Sequence, residues 1–215
     1  MTNRKLEPYY DAVAPLYGFW AELTENRAAR RALEVARVQA GEPVLEVGVG
    51  NGEFFSRLVR AAKGGRCVGV DLSAGMLRRA QRRRAERREG SLCRGDARQL
   101  PFPAGAFDAI VSCYMLDLLP EGGIETALGE FFRVAKPEGR LVLLVMDRQN
   151  RVFDSIWMWA FNHAPVLVGG CRPVALAPAL AATGWRIEVE EEICQNGFRS
   201  ELILARPRRL KEQAA

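Results

Sequence analysis

Short apolar runs alternate with helical stripes along the chain. Val44-Leu45-Glu46-Val47, Arg66 to Asp71, Ser91 to Arg94, Phe107 to Leu116 and Arg140 to Met146 have strand length. Most are nearly continuous in apolar character, the pattern of strands covered on both faces. Between them lie stretches with helical spacing. Glu53 to Ala62 carries Phe54, Phe55, Leu58 and Val59, and residues 124–135 carry Ile124, Leu128, Phe131 and Phe132. Upstream, Thr24 is placed to cap a helix running to about Gln39, with Gly41 as its stop. Ser73 is placed to cap an arginine-rich helix.

The alternation lapses after the fifth run. Phe153, Ile156, Trp157, Ala160, Phe161 and Ala164 form one apolar stripe, with Met158 and Trp159 off it, and Pro165 ends the helix. A helix over about 174–182 follows, then strands over 186–193 and 200–205, joined as a hairpin through Asn196-Gly197. The tail after Pro207 is polar and expected to fray. The expected fold class is α/β, a doubly wound, mostly parallel sheet of seven strands with an antiparallel last strand. Residues 1–40 form an N-terminal helical cap segment, and 41–207 a ligand-binding domain with an aromatic lid insertion at 147–173.

Such sheets bind ligands at the carboxyl ends of their strands. Gly48, Asp71, Asp96 and Ser112 to Tyr114 all fall at or near those ends. The first strand runs into Gly48-Val49-Gly50-Asn51-Gly52, where backbone without a Cβ approaches a ligand closely. A dinucleotide turn places its third glycine at position 53, which here is Glu53, a carboxylate opposed to a pyrophosphate. A nicotinamide dehydrogenase is accordingly a distant reading. Asp71 follows Gly52 by nineteen positions, close to the spacing of a carboxylate that holds ribose hydroxyls. Met76 and Leu77 suit an adenine face or plain core equally well.

The 215 residues suit one domain with a large core. The net charge of +5 comes mainly from arginine, concentrated between Arg78 and Arg88. That run reads first as a solvated helix face and second as attraction to an anionic membrane surface. No aromatic residue interleaves it, which argues against nucleic acid. Five cysteines without a C-x-x-C pair read as buried free thiols in a reducing cytosol, with no metal site. No secretory signal is visible in Met1 to Tyr10, and no apolar run reaches spanning length. The expected location is cytoplasmic, with peripheral contact to the inner membrane face as an option. Oligomeric state is not legible.

Glu46-x-Gly48-x-Gly50-x-Gly52, Gly69-Val70-Asp71-Leu72-Ser73-x-x-Met76-Leu77, Gly95-Asp96-Ala97 with Leu100-Pro101-Phe102, Phe107-Asp108, and Arg133-Val134-x-Lys136-Pro137-x-Gly139 form an ordered series. It resembles the motif series of class I S-adenosylmethionine (SAM) methyltransferases. Tyr10-Asp11-x-Val13-Ala14-Pro15-x-Tyr17 resembles the start of quinone-biosynthesis C-methyltransferases and bacterial phosphatidylethanolamine N-methyltransferases. The resemblance implies SAM as cofactor, bound by Glu46, Gly48, Gly50, Asp71, Leu72, Met76, Asp96, Ala97 and Cys113. It implies Asp71 on the ribose and Asp96 on the adenine amino group. Tyr10, Tyr17, Tyr114 and Asp117 are the candidates near the methyl-transfer point, each tyrosine equally readable as a packed aromatic. Gly18 stands where those families often have Asp, and Leu116-Asp117-Leu118 where many carry a His pair. His163 is the one histidine. The two aromatic segments argue for a hydrophobic acceptor. Without a histidine base, an amine-headed phospholipid ranks ahead of a quinone precursor or small metabolite. A SAM-binding partner subunit without transferase activity is the alternative of another class.

Overall fold

A computed structural model describes residues 25–84, 90–147, 155, 159, 163 and 171–208. The described elements are α1 (Asn26–Ala36), β1 (Val44–Val47), α2 (Glu53–Ala62), β2 (Cys67–Asp71), α3 (Ala74–Arg84) and β3 (Ser91–Arg94). They continue with β4 (Phe107–Cys113), a 3-10 turn (Leu116–Leu118), α4 (Glu121–Val134), β5 (Ala135–Met146), α5 (Ala177–Ala182), β6 (Trp185–Gln195) and β7 (Phe198–Pro207). One seven-stranded sheet has the order β3-β2-β1-β4-β5-β7-β6. The first five strands pair in parallel, β7 runs antiparallel to β5, and β6 antiparallel to β7. The doubly wound sheet expected from the apolar runs is therefore present, with its switch point between β1 and β4.

Successive side chains of a strand point to opposite faces, and β5 shows the result. Leu141, Leu143 and Val145 join Leu128 and Phe131 of α4 and Leu180 of α5 in one core. Val142, Leu144 and Met146 join Ala32 and Val35 of α1 and Phe55 and Leu58 of α2 in the other. Both faces are covered, so neither needs polar alternation.

Several boundaries differ from the sequence expectation. The first helix ends at Arg37, in the left-handed region at φ 43°, not at Gly41. Arg140 explains the early stop. Its guanidinium donates to the carbonyls of Ala36 and Arg37, satisfying acceptors that a helix end leaves open. Thr24, the expected cap, lies outside the described residues. The fourth helix begins at Glu121, just after Pro120, three residues earlier than the apolar stripe showed. The fifth strand begins at Ala135, and Lys136 to Gly139 bulge out of it. Ala135 pairs with Phe107 and Arg140 with Ala109. The C-terminal hairpin is as expected. Asn196 and Gly197 take φ of 52° and 84°, the two positive values that a two-residue hairpin turn demands. Its strands are longer than the hydrophobic pattern suggested, since the edge strand β6 exposes alternate residues.

Candidate active site

The glycine turn leaves β1 with Gly48, Gly50 and Gly52 at φ 83°, 55° and 81°. Two of these glycines are also sterically required. A Cβ on Gly48 would lie 2.6 Å from Met115 Cβ, and one on Gly52 2.8 Å from the backbone Cα of Ala80. At Gly50 a Cβ would meet nothing within 4 Å, so the turn is open there. Asp71, at the end of β2, fixes this geometry. Its Oδ2 accepts from the Gly50 amide at 2.8 Å and its Oδ1 from the Ser73 amide at 2.8 Å. Each oxygen keeps a further lone pair, enough to accept from vicinal hydroxyls. Burial pushes the Asp71 carboxyl up, against the lowering effect of these amides. Ser73 Oγ in turn accepts from the Met76 amide at 3.2 Å, the cap expected for α3.

Glu46 lies beneath the turn with 2% exposure, and its Oε2 has no hydrogen-bond partner. Burial first, and Asp71 second, push its carboxyl well above the usual range. A buried acceptor of this kind suits a cationic or hydrogen-donating ligand group. Leu72 is an exposed apolar side chain beside the turn, while Met76 is buried. At Asp96 the structure adds a competitor. Arg98 grips both carboxylate oxygens, with Nη2 2.6 Å from Oδ2 and Nε 3.0 Å from Oδ1. An adenine amino group bound at Asp96 would share that carboxylate with the guanidinium. Ala97 is buried beside it.

The end of β4 brings the remaining candidates together. Burial pushes the Cys113 thiol well up, with Glu46, Glu25 and Asp117 adding to the effect. Tyr114 takes φ 51°, and its hydroxyl shares a 2.7 Å hydrogen bond with Ser200 of β7. Asp117 is fully buried in the 3-10 turn. Its Oδ2 accepts from the Met146 amide at 3.2 Å, and its Oδ1 has no partner. Tyr10 and Tyr17 lie outside the described residues, as does most of the expected lid. Trp159, within that lid, is 62% exposed and stacks on His163, with ring centroids 5.0 Å apart. All five cysteines are free, but the expected burial holds only for Cys67: Cys93, Cys113 and Cys171 are partly exposed, and Cys194, on the edge strand β6, is exposed. No metal-binding cluster occurs among the described residues. No described helix is long and apolar enough to cross a membrane.

Other motif residues turn out to support the scaffold. Arg133 donates to the carbonyls of Phe102 and Leu100 at 2.7 and 3.0 Å, and Lys136 pairs with Asp108 at 2.7 Å. Sequence reading missed Glu25, the residue preceding α1, which bears electrostatically on Cys113, Tyr114 and Asp117. A lone Glu before a helix carries no signal of that contact.

A glycine turn braced by an acid at the end of the neighbouring strand, beside the sheet's switch point, defines an α/β fold suited to a nucleoside-bearing ligand at the carboxyl ends of its strands. Residues 44–139 match the family model described as a methyltransferase domain. The demethylmenaquinone methyltransferase of Thermus thermophilus is 39% identical over 208 residues, covering 86% of this chain and 92% of that protein. A solved SAM-dependent methyltransferase from Aquifex aeolicus has a TM-score of 0.65 and 19% identity, over 86% of this chain and 91% of its own. The solved [4+2]-cyclase SpnF has a TM-score of 0.79 and 20% identity, over 96% of each chain. At these identities the two solved structures share the fold alone. The chain belongs to the SAM-dependent methyltransferases. The residues present fit that cofactor: Asp71 retains lone pairs, Glu46 Oε2 is unpartnered, and Gly50 is open.

Proposed function

We propose that this methyltransferase acts on a ring carbon of a reduced isoprenoid naphthoquinone. The observation that carries the proposal is the likeness to a demethylmenaquinone methyltransferase over nearly its whole length. This reverses the order expected from sequence, in which an amine-headed phospholipid came first for want of a histidine base. Asp117 answers that objection. Burial raises its carboxyl to about 7, so it exchanges a proton near neutral pH without histidine. Tyr114 is less suited to the task. Burial and Glu25 push its hydroxyl well up, and Ser200 occupies it.

In this reading Glu46, Gly48, Gly50, Asp71, Leu72, Met76, Asp96, Ala97 and Cys113 hold the cofactor. SAM supplies a methyl group on a sulfonium sulfur. The protein holds acceptor and cofactor together and excludes water, effects that account for much of such a rate. A greasy acceptor also gives the exposed Trp159 a partner. The arginines of α3 suit contact with an anionic membrane in which such a quinone resides. The test offers methyl-labelled SAM with vesicles carrying either the reduced, demethylated naphthoquinone or phosphatidylethanolamine. Label in the naphthoquinone is expected. Label in the phospholipid alone overturns the proposal.

A further inference from the structure

At the switch point the chain segments after β1 and β4 turn away from each other. The amides of Gly48 and Val49 both donate to the Val70 carbonyl of β2, at 2.8 and 3.1 Å. The Tyr114 amide donates the other way, to the Leu144 carbonyl of β5 at 2.7 Å. Met115 bridges the two segments. A Cβ on Gly48 would lie 2.6 Å from both the Cβ and the Cγ of Met115, so this side chain packs on the bare backbone of the glycine turn. Methionine is unbranched and flexible. Its place therefore depends on the backbone that carries it.

That backbone is strained. Tyr114 takes φ 51°, in the left-handed region that a bulky side chain rarely adopts. The turn breaks the strand alternation. Cys113 and Tyr114 both pack into the core beside α1, and Met115 packs against the opposite one. A strained residue persists where its surroundings over-determine it. Here the Tyr114 hydroxyl crosses β5 and meets Ser200 Oγ of β7 at 2.7 Å. Ser200 is fully buried opposite Met146, and the Phe198 ring lies 6.5 Å from the Tyr114 ring. In the sheet, β7 stands three places from β1.

We propose that the Tyr114–Ser200 hydrogen bond is a strut that holds Met115 against Gly48, and that Met115 forms the floor on which SAM sits between the two segments. Tyr114 and Ser200 are then positioning residues of the cofactor site. The inference rests on the glycine turn being the cofactor cradle, and it holds for any methyl acceptor. Without the strut the left-handed residue relaxes and Met115 leaves Gly48. The crevice then spends part of its time in a form that does not seat SAM. The apparent dissociation constant rises in inverse proportion to the competent fraction.

The test measures SAM affinity by calorimetry, and melting of the cofactor-free protein, for Tyr114→Phe, Ser200→Ala, their double variant and Met115→Ala. At a temperature where all are folded, each strut variant, single or double, should bind SAM about 5–10-fold more weakly. Melting should follow a different order. Each single variant leaves one buried hydroxyl without a partner and should melt lower than wild type. The double variant leaves none, so it should regain part of that loss while its SAM affinity stays weak. A bond that served stability alone would leave affinity unchanged throughout. In the Met115→Ala background, Ser200→Ala should no longer change SAM affinity, because the side chain it positions is gone. Asp71→Ala is the control for the cradle. If it weakens SAM binding and the strut variants do not, the strut is overturned and the cradle stands. If SAM binding survives Asp71→Ala, Met115→Ala and the strut variants alike, the cofactor lies elsewhere and both readings fail. Affinity that recovers together with melting in the double variant also overturns the strut.

Discussion

The two ends of the central strands treat buried polar groups in opposite ways. At the amino ends every conspicuous charge meets a partner. Arg140 binds Glu42 and the last carbonyls of α1, Lys136 binds Asp108, and Arg133 binds Glu130 and the 100–102 loop. At the carboxyl ends, three buried atoms among the described residues have no partner: Glu46 Oε2, Ser112 Oγ and Asp117 Oδ1. An unpartnered buried polar atom costs about 1–3 kcal/mol. The pattern teaches which end is built for stability and which holds polar groups in reserve for ligands.

The largest break in that comparison is expected at Arg140. Burial pushes Glu42 up, but Arg140 and the Gln39 amide bring it below its ordinary value. Arg140→Ala removes the partner of Glu42 and strips the carbonyls of Ala36 and Arg37. It should cost about 3–5 kcal/mol in urea unfolding. Glu42 is held low in the folded state, so its stabilising effect is present above the ordinary carboxylate range and fades on acidification. The Arg140→Ala deficit should therefore narrow at acid pH.

Asp71 comes next and separates ligand binding from stability at the other end. Asp71→Ala leaves the Gly50 and Ser73 amides without their acceptor and removes the candidate ribose contact. Calorimetry should show SAM affinity weaker by about 1–3 kcal/mol. Unchanged affinity would show that the carboxylate serves only the turn.

Much of the fold was legible because its signals are local. Continuous apolar strands, the Gly48-Val49-Gly50-Asn51-Gly52 turn and Asn196-Gly197 each declare a backbone requirement in a few residues. The glycine turn and the acid that braces it were legible for the same reason, since Asp71 reaches Gly50 directly across adjacent parallel strands. Glu25 and Asp117 were harder. The electrostatic effect of Asp117 on Glu25 follows from the packing of α1 on β5, where Arg140 meets the end of the helix. Helix ends were missed for a related reason. The stop at Arg37 is supplied from a distant strand, and no glycine marks it.

The smallest effect sharpens what makes the amino end stable. Lys136 and Asp108 form a 2.7 Å pair across the bulge, but their side chains are 40% and 28% exposed. The Arg140–Glu42 pair is 10% and 20% exposed. Water screens the first pair and solvates either partner if the other is lost. Screening is weaker at the second, where a lone buried carboxylate would remain. Lys136→Met keeps the aliphatic stem and removes only the charge. It should cost less than about 1 kcal/mol, and the difference from wild type should shrink further in high salt. A loss comparable to that of Arg140→Ala would mean that the bulge depends on this ion pair for its shape. The need for glycine at position 139, where a Cβ would lie 2.9 Å from the Lys136 carbonyl oxygen, would then be only part of what shapes the bulge.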